Sequence, residues 1–142
     1  MLMGKILCAT RGGEASLHAQ NAAIALAKKR GDELAFLYII DLKFLDKTAA
    51  PIMVDVENEL AQLGNFLLLV AKERASEAGV KTDALCRKGS VRTEIKEAAL
   101  EIGATLIVLG RPEEKSSTFQ LSNLQTFADE IKAETGVEVQ IV

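Results

Sequence analysis

Apolar and polar positions fall into blocks along this chain, and the blocks alternate between two periods. Lys5-Ile-Leu-Cys-Ala9 is a short apolar run closed by Thr10-Arg11-Gly12-Gly13, the pattern of a buried strand. From about Ala15 to Arg30, Ala19, Ala22, Ala23 and Leu26 recur at helical spacing, and Gly31 stands where a helix ends. Leu34 to Ile40 (LAFLYII) is almost wholly apolar, as a strand covered on both faces would be. Residues 41–53 are then irregular and contain Pro51; that is long for a strand-to-helix loop, and such loops often act as lids.

The second half repeats the alternation. A helix is predicted from Val54 to Ala78 with Val56, Leu60, Leu63, Leu67 and Val70 as its stripe. Phe66, Leu68 and Leu69 widen that stripe past one face, so the helix is expected to be deeply buried rather than a partner contact. Lys81 to Arg87 is a weaker strand, and Ser90 is placed to cap a helix carrying Ile95, Ala98, Ala99 and Ile102 inward. Thr105 to Leu109 is the clearest strand and stops at Gly110. After a polar loop, a last helix from Asn123 to Thr135 turns Leu124, Phe127, Ala128 and Ile131 inward, and Val137 to Val142 is the final strand. Five strands separated by four helices define an α/β chain: a doubly wound open parallel five-stranded sheet with right-handed crossovers and the first strand central.

Composition narrows the functional classes. The 142 residues suit one domain. Hydrophobic residues make up 49% but aromatics only 4%, so the core is built from Ala, Leu, Ile and Val. A net charge of −3 lacks the basic field of a nucleic-acid module, and the one basic cluster, Lys28-Lys29-Arg30, sits where cations favour a helix dipole. Cys8 and Cys86 form neither a CxxC pair nor a zinc pattern and read as two buried thiols in a reducing compartment. No apolar run has the length of a signal peptide core or a bilayer span, so a cytoplasmic protein with no membrane partner is expected.

Ligands of open parallel sheets bind beyond the carboxyl ends of the strands. The segments that reach there are Thr10–Ser16, Asp41–Met53, Arg87–Ser90 and Gly110–Asn123. None contains a P-loop or a dinucleotide-binding turn. Arg11 and Arg87-Lys88 occupy positions where a magnesium-holding receiver domain would carry carboxylates. His18, the only histidine, lies one position off an apolar helical face and reads as a surface residue, and no serine sits in a nucleophile elbow. No catalytic group and no metal site is expected.

Lys5 to Ser16 followed by Ala19 and Ala23, Leu37-Tyr-Ile-Ile-Asp41, Lys88-Gly-Ser-Val-Arg-Thr-Glu-Ile95 and Ala104 to Gly110 together, in this order, resemble the universal stress protein family over essentially the whole chain. The resemblance implies a small cytoplasmic protein that dimerises and has no established catalytic residues. One branch of that family binds ATP through Gly-x2-Gly-x9-Gly-Ser/Thr after the fourth strand, with an Asp after the first. Here Gly110 matches the first glycine, Glu113 and Asn123 replace the other two, Leu124 replaces Ser/Thr, and Arg11 replaces the Asp. Glycines let backbone amides approach phosphate, and a carboxylate at Glu113 repels a triphosphate. Ser122 to Gln125 also reads as a capping box that would use up the helix amides.

Three readings follow. In the first, the chain is a dimeric stress or regulatory module that binds ATP weakly or not at all and needs no cofactor. In the second, ATP or AMP is held in a modified pocket drawn from Thr10, Arg11, Gly12, Gly13, Ile39, Leu109, Gly110, Arg111, Asn123 and Leu124. In the third, a small α/β enzyme takes an anionic substrate through its arginines. Arg11, Lys88, Arg111 and Lys115 could hold a small anion, or simply balance Glu14, Glu113 and Glu114. For the dimer, the resemblance implies pairing of the last strand with its copy. Val137, Glu138, Val139, Gln140 and Ile141 alternate as an edge strand does, with no proline or lysine to discourage pairing.

Overall fold

The computed structural model describes residues 4–10, 13–41, 50–111 and 121–142. Five strands and four helices alternate along them: β1 Lys5–Ala9, α1 Gly13–Arg30, β2 Glu33–Ile40, α2 Ala50–Glu77, β3 Thr82–Lys88, α3 Val91–Ile102, β4 Leu106–Leu109, α4 Leu121–Thr135 and β5 Glu138–Ile141. All strand pairs are parallel and the order across the sheet is β3-β2-β1-β4-β5, with β1 in the centre.

Strand pleating sends alternate residues to opposite layers. Ile6 and Cys8 join Phe36 and Val108 beneath α1 and α2, packed by Ala19, Ala23 and Ala27 of α1 and Leu68, Ala71 and Ala75 of α2. Leu7 joins Leu37 and Ile107 on the other face, under Ile95, Ala98 and Ala99 of α3 and Leu124, Phe127 and Ile131 of α4. Alanines on α1 and α2 let these helices lie close to the sheet. The approach is close at Gly64, where a Cβ would stand 2.3 Å from Tyr38 Cδ1. Helix α3 ends at Gly103 in the left-handed region, φ 70°, and the amide of Ala104 reaches back to the carbonyl of Ala99 at 2.9 Å.

Several expectations change. Helix α2 starts at Ala50, so the predicted irregular segment gives up its last four residues and Pro51 lies in the first turn, where its missing N–H costs nothing. Residues 42–49 lie outside the described part. Helix α2 is not deeply buried: Leu63, Phe66, Leu69 and Val70 are exposed, because its buried stripe runs instead through Gly64, Leu68, Ala71 and Ala75. Ser90 occupies the N-cap of α3 in an extended conformation but makes no side-chain cap bond. The start of α4 differs from the predicted capping box as well. The helix begins at Leu121, ahead of Ser122, and Gln125 Nε2 donates forward to Asp129 Oδ1 at 3.2 Å.

The cysteines divide. Cys8 is fully buried in the central strand, and that burial pushes its thiol up to about 12. Cys86 is exposed, contrary to expectation, because β3 is an edge strand whose residues alternate outward beside Tyr38 of β2. Partial burial raises its thiol above the ordinary value as well. A thiol reagent at mildly alkaline pH is therefore expected to modify one cysteine per folded chain and two after denaturation, which mass spectrometry of the labelled protein will read. Two labels on the folded protein would contradict the placement of Cys8.

Among the described residues no helix is long and apolar enough to cross a membrane.

Candidate nucleotide site at the carboxyl end of the sheet

From β1 the chain steps to β2 on one side, and β4 is added on the other, so strand order reverses between β1 and β4. Ligand crevices of open α/β sheets form at this place. The helices that follow β1 and β4, α1 and α4, begin there and belong to opposite layers. Their amino termini place the positive end of each helix dipole at this end of the sheet.

The structure brings part of the predicted set to this end. Thr10 is buried one residue beyond β1, with its amide donating to the carbonyl of Leu37 at 2.8 Å. Ile39 is half-buried near the end of β2, Leu109 is buried at the end of β4, and Gly110 follows half-buried. Gly13 opens α1, and Asn123 lies in the first turn of α4. Arg111 is exposed, and its amide donates to the carbonyl of Val142 at 2.9 Å, so β5 already occupies that donor. Leu124 is buried in the α3/α4 core alongside Leu7 and Leu109. Arg11, Gly12, Glu113 and Lys115 lie outside the described residues.

A polar relay that sequence periodicity does not reveal supports Thr10 from behind. Gln20 Nε2 of α1 donates to Thr10 Oγ1 at 2.6 Å, and Arg74 Nη1 of α2 donates to Gln20 Oε1 at 2.9 Å. Arg74 also donates to Asn21 Oδ1. A guanidinium only donates, so it fixes which end of the Gln20 amide faces Thr10 and makes Thr10 Oγ an acceptor there. The one hint in the sequence is Gln20 itself, a polar residue beside Ala19 and Ala23 on a buried face. Gln20→Leu strips a partner from Thr10 and from Arg74 and is expected to cost about 1–3 kcal/mol. Urea unfolding checks this; an unchanged midpoint would mean the relay adds no stability.

Two of the described cations at this end, Arg87 and Lys88, are held in ion pairs. Arg87 donates through Nε to Glu94 at 3.0 Å and also pairs with Glu97 and Glu101, and the carboxylates of Glu101 and then Glu94 raise its affinity for its proton further. Lys88, read as either holding an anion or balancing nearby acids, pairs with an acid, Glu57 of α2, at 2.9 Å. His18 is exposed on α1. Among the described residues no group of three or more His, Cys, Asp or Glu could hold a metal ion.

A five-stranded parallel sheet in this order, with the strand order reversing between β1 and β4, is the frame of a doubly wound open α/β protein. The family model of the universal stress protein family matches residues 3–123, and the chain belongs to that family. It is 31% identical over 117 residues to universal stress protein YxiE of Bacillus subtilis, covering 77% of this chain and 79% of the relative. Among solved structures, a universal stress protein in complex with cAMP superposes with a TM-score of 0.66 at 19% identity, covering 98% of this chain and 96% of that one. A universal stress protein family protein from Arabidopsis thaliana with AMP bound gives a TM-score of 0.66 at 12% identity, over 98% of this chain and 90% of that one.

Proposed function

We propose that this protein is a non-enzymatic regulatory module of the stress response, homodimeric and cytoplasmic, whose sheet-end crevice takes an adenine mononucleotide weakly and holds ATP poorly. The observation that carries the nucleotide part is Leu124. Where the family's ATP-binding pattern has a hydroxyl for phosphate, this chain has an apolar side chain committed to the core. The amide of Arg111 is likewise committed, to β5. Glu113 adds negative charge and Asn123 replaces a glycine, so the donors that would hold a β- and γ-phosphate are depleted. A nucleoside monophosphate, with a single phosphate, depends less on them, and half-buried Ile39 and Gly110 stand at the strand ends. Relatives bound to AMP and to cAMP support this choice of ligand class.

The dimer reading is supported by the direction of the β5 backbone. The amide of Val142 donates to Leu109, and its carbonyl accepts from Arg111, so Val142 turns its polar groups toward β4. Strand alternation then turns those of Gln140 and Glu138 the same way, and those of Val139 and Ile141 outward along an open edge. Two such edges pair antiparallel across a twofold axis.

Heat-released supernatant from the purified protein is expected to contain far less than one equivalent of ATP per chain, read by absorbance and mass. Stoichiometric ATP in that supernatant would overturn the reading.

A further inference from the structure

Helix α2 presents an apolar ridge to solvent that the fold does not use. Leu63, Phe66, Leu69 and Val70 are 48%, 61%, 55% and 39% exposed. Leu63, Phe66 and Val70 recur at i, i+3 and i+7, so they form one line along the helix, with Leu69 on its flank. A helix free to roll about its axis would turn such a line inward. This one is pinned from the other side by three contacts. Gly64 lies against the Tyr38 ring, Glu57 pairs with Lys88 at 2.9 Å, and Arg74 donates to Gln20 at 2.9 Å and to Asn21. Rolling α2 would break both polar ties and drive a larger side chain than Gly64 into Tyr38. The exposure is therefore enforced by the packing.

The charges around the ridge say what fits it. Glu59 and Glu73, both exposed, stand seven residues before and seven after Phe66, and seven residues bring a helix back to nearly the same face. An acid thus brackets the apolar line two turns away at each end, with uncharged Gln62 and Asn65 beside it. Lys72, the nearest cation in sequence, falls well off this line, since six residues turn a helix by about 240°. Pairing of two α2 helices, parallel or antiparallel about Phe66, would set Glu59 and Glu73 against acids of the copy, so a second copy of this chain is disfavoured.

We infer that the α2 ridge is a docking surface for an amphipathic helix of a partner protein, one that carries an apolar stripe about two turns long bracketed by Lys or Arg. The apolar stripe covers Leu63, Phe66 and Val70, and the basic brackets meet Glu59 and Glu73. Such a surface lies on α2, away from the edge of β5, so partner docking and dimerisation through β5 are compatible on one molecule.

Two synthetic helical peptides test this on the full-length protein. They share one leucine stripe, and one has lysines at the brackets where the other has glutamates; binding is followed by fluorescence anisotropy. The lysine-bracketed peptide is expected to bind about tenfold more tightly, from two charge pairs, with the gap closing at high salt. Phe66→Ser is expected to abolish binding while leaving the unfolding midpoint unchanged, because the side chain is already exposed. The pair Glu59→Gln with Glu73→Gln is expected to erase the preference between peptides. Three results would overturn the inference: no binding of either peptide, equal binding of both, or binding that survives Phe66→Ser. Self-association of the wild-type protein that Phe66→Ser abolishes would overturn it too, by making a second copy the occupant.

Discussion

Gly64→Val is expected to cost about 3 kcal/mol of folding stability, the upper end of what overpacking a core usually costs. The position is buried in the middle of α2, and its missing side chain is what lets the helix sit on Tyr38, itself only 6% exposed. A single Cβ would meet Tyr38 Cδ1 at 2.3 Å and Cε1 at 2.6 Å, well inside van der Waals contact, so either the ring leaves its place or the helix lifts off the sheet. The helix is held at Lys88 and at Gln20, and lifting it would also break these ties. Intrinsic propensity runs the other way, since glycine is a poorer helix former than valine, but by well under 1 kcal/mol. Packing wins. Urea unfolding of the variant checks the sign and size. Combining Gly64→Val with Tyr38→Ala is expected to destabilise by less than the two single changes added together, by about 1 kcal/mol or more, because each relieves the other. Strict additivity would mean that these residues do not touch.

Val139→Pro is expected to convert a dimer to a monomer with little effect on the fold of each chain. Proline removes a backbone donor and is tolerated at a sheet edge where that donor faces away from the sheet. In β5 the polar groups that hold β4 are those of the even-numbered residues, as the bonds of Val142 to Leu109 and Arg111 indicate, so the donor lost at Val139 is one that faces a second copy. Gln140→Pro is the matched control, since it removes a bond to β4 and is expected to lower the unfolding midpoint instead. Sedimentation velocity at tens of micromolar separates the outcomes. A wild-type monomer in that range, or a Val139→Pro variant that remains dimeric, would remove the β5 edge from the account.

Much of this architecture was legible because the strands differ in how they are covered. The run at Ile6, Leu7 and Cys8 has no polar position to spare, which only a central strand satisfies, and β1 is central. Val137 to Ile141 alternates, and β5 is an edge with Glu138 and Gln140 exposed. The same logic failed on β3 and α2. Leu85-Cys86 looked like core, but β3 forms the opposite edge and Cys86 turns outward. Around α2 apolar residues occur on most faces, and a helical wheel cannot say which face the sheet takes. The deciding residue was Gly64, whose lack of a side chain marks a close approach to Tyr38.

The site was legible to a lesser degree. Thr10, Leu109 and Gly110 meet at the strand ends because strand order alone brings them there. Leu124 was read as inward-facing, and it is buried. The relay from Arg74 through Gln20 to Thr10 joins residues 54 and 10 positions apart, and no periodicity encodes such a contact. The pairing of Lys88 with Glu57 was hidden for the same reason, since it links the end of one strand to a helix entered after a long connection.

The most direct test of the functional account is a calorimetric titration of the protein with AMP and, separately, with magnesium-ATP. With Leu124 in the core and the Arg111 amide bonded to Val142, neither of these positions offers the triphosphate a donor that the monophosphate lacks. AMP is therefore expected to bind in roughly the 0.1–1 mM range, and magnesium-ATP no more tightly than AMP. A micromolar or tighter constant for magnesium-ATP would contradict the account.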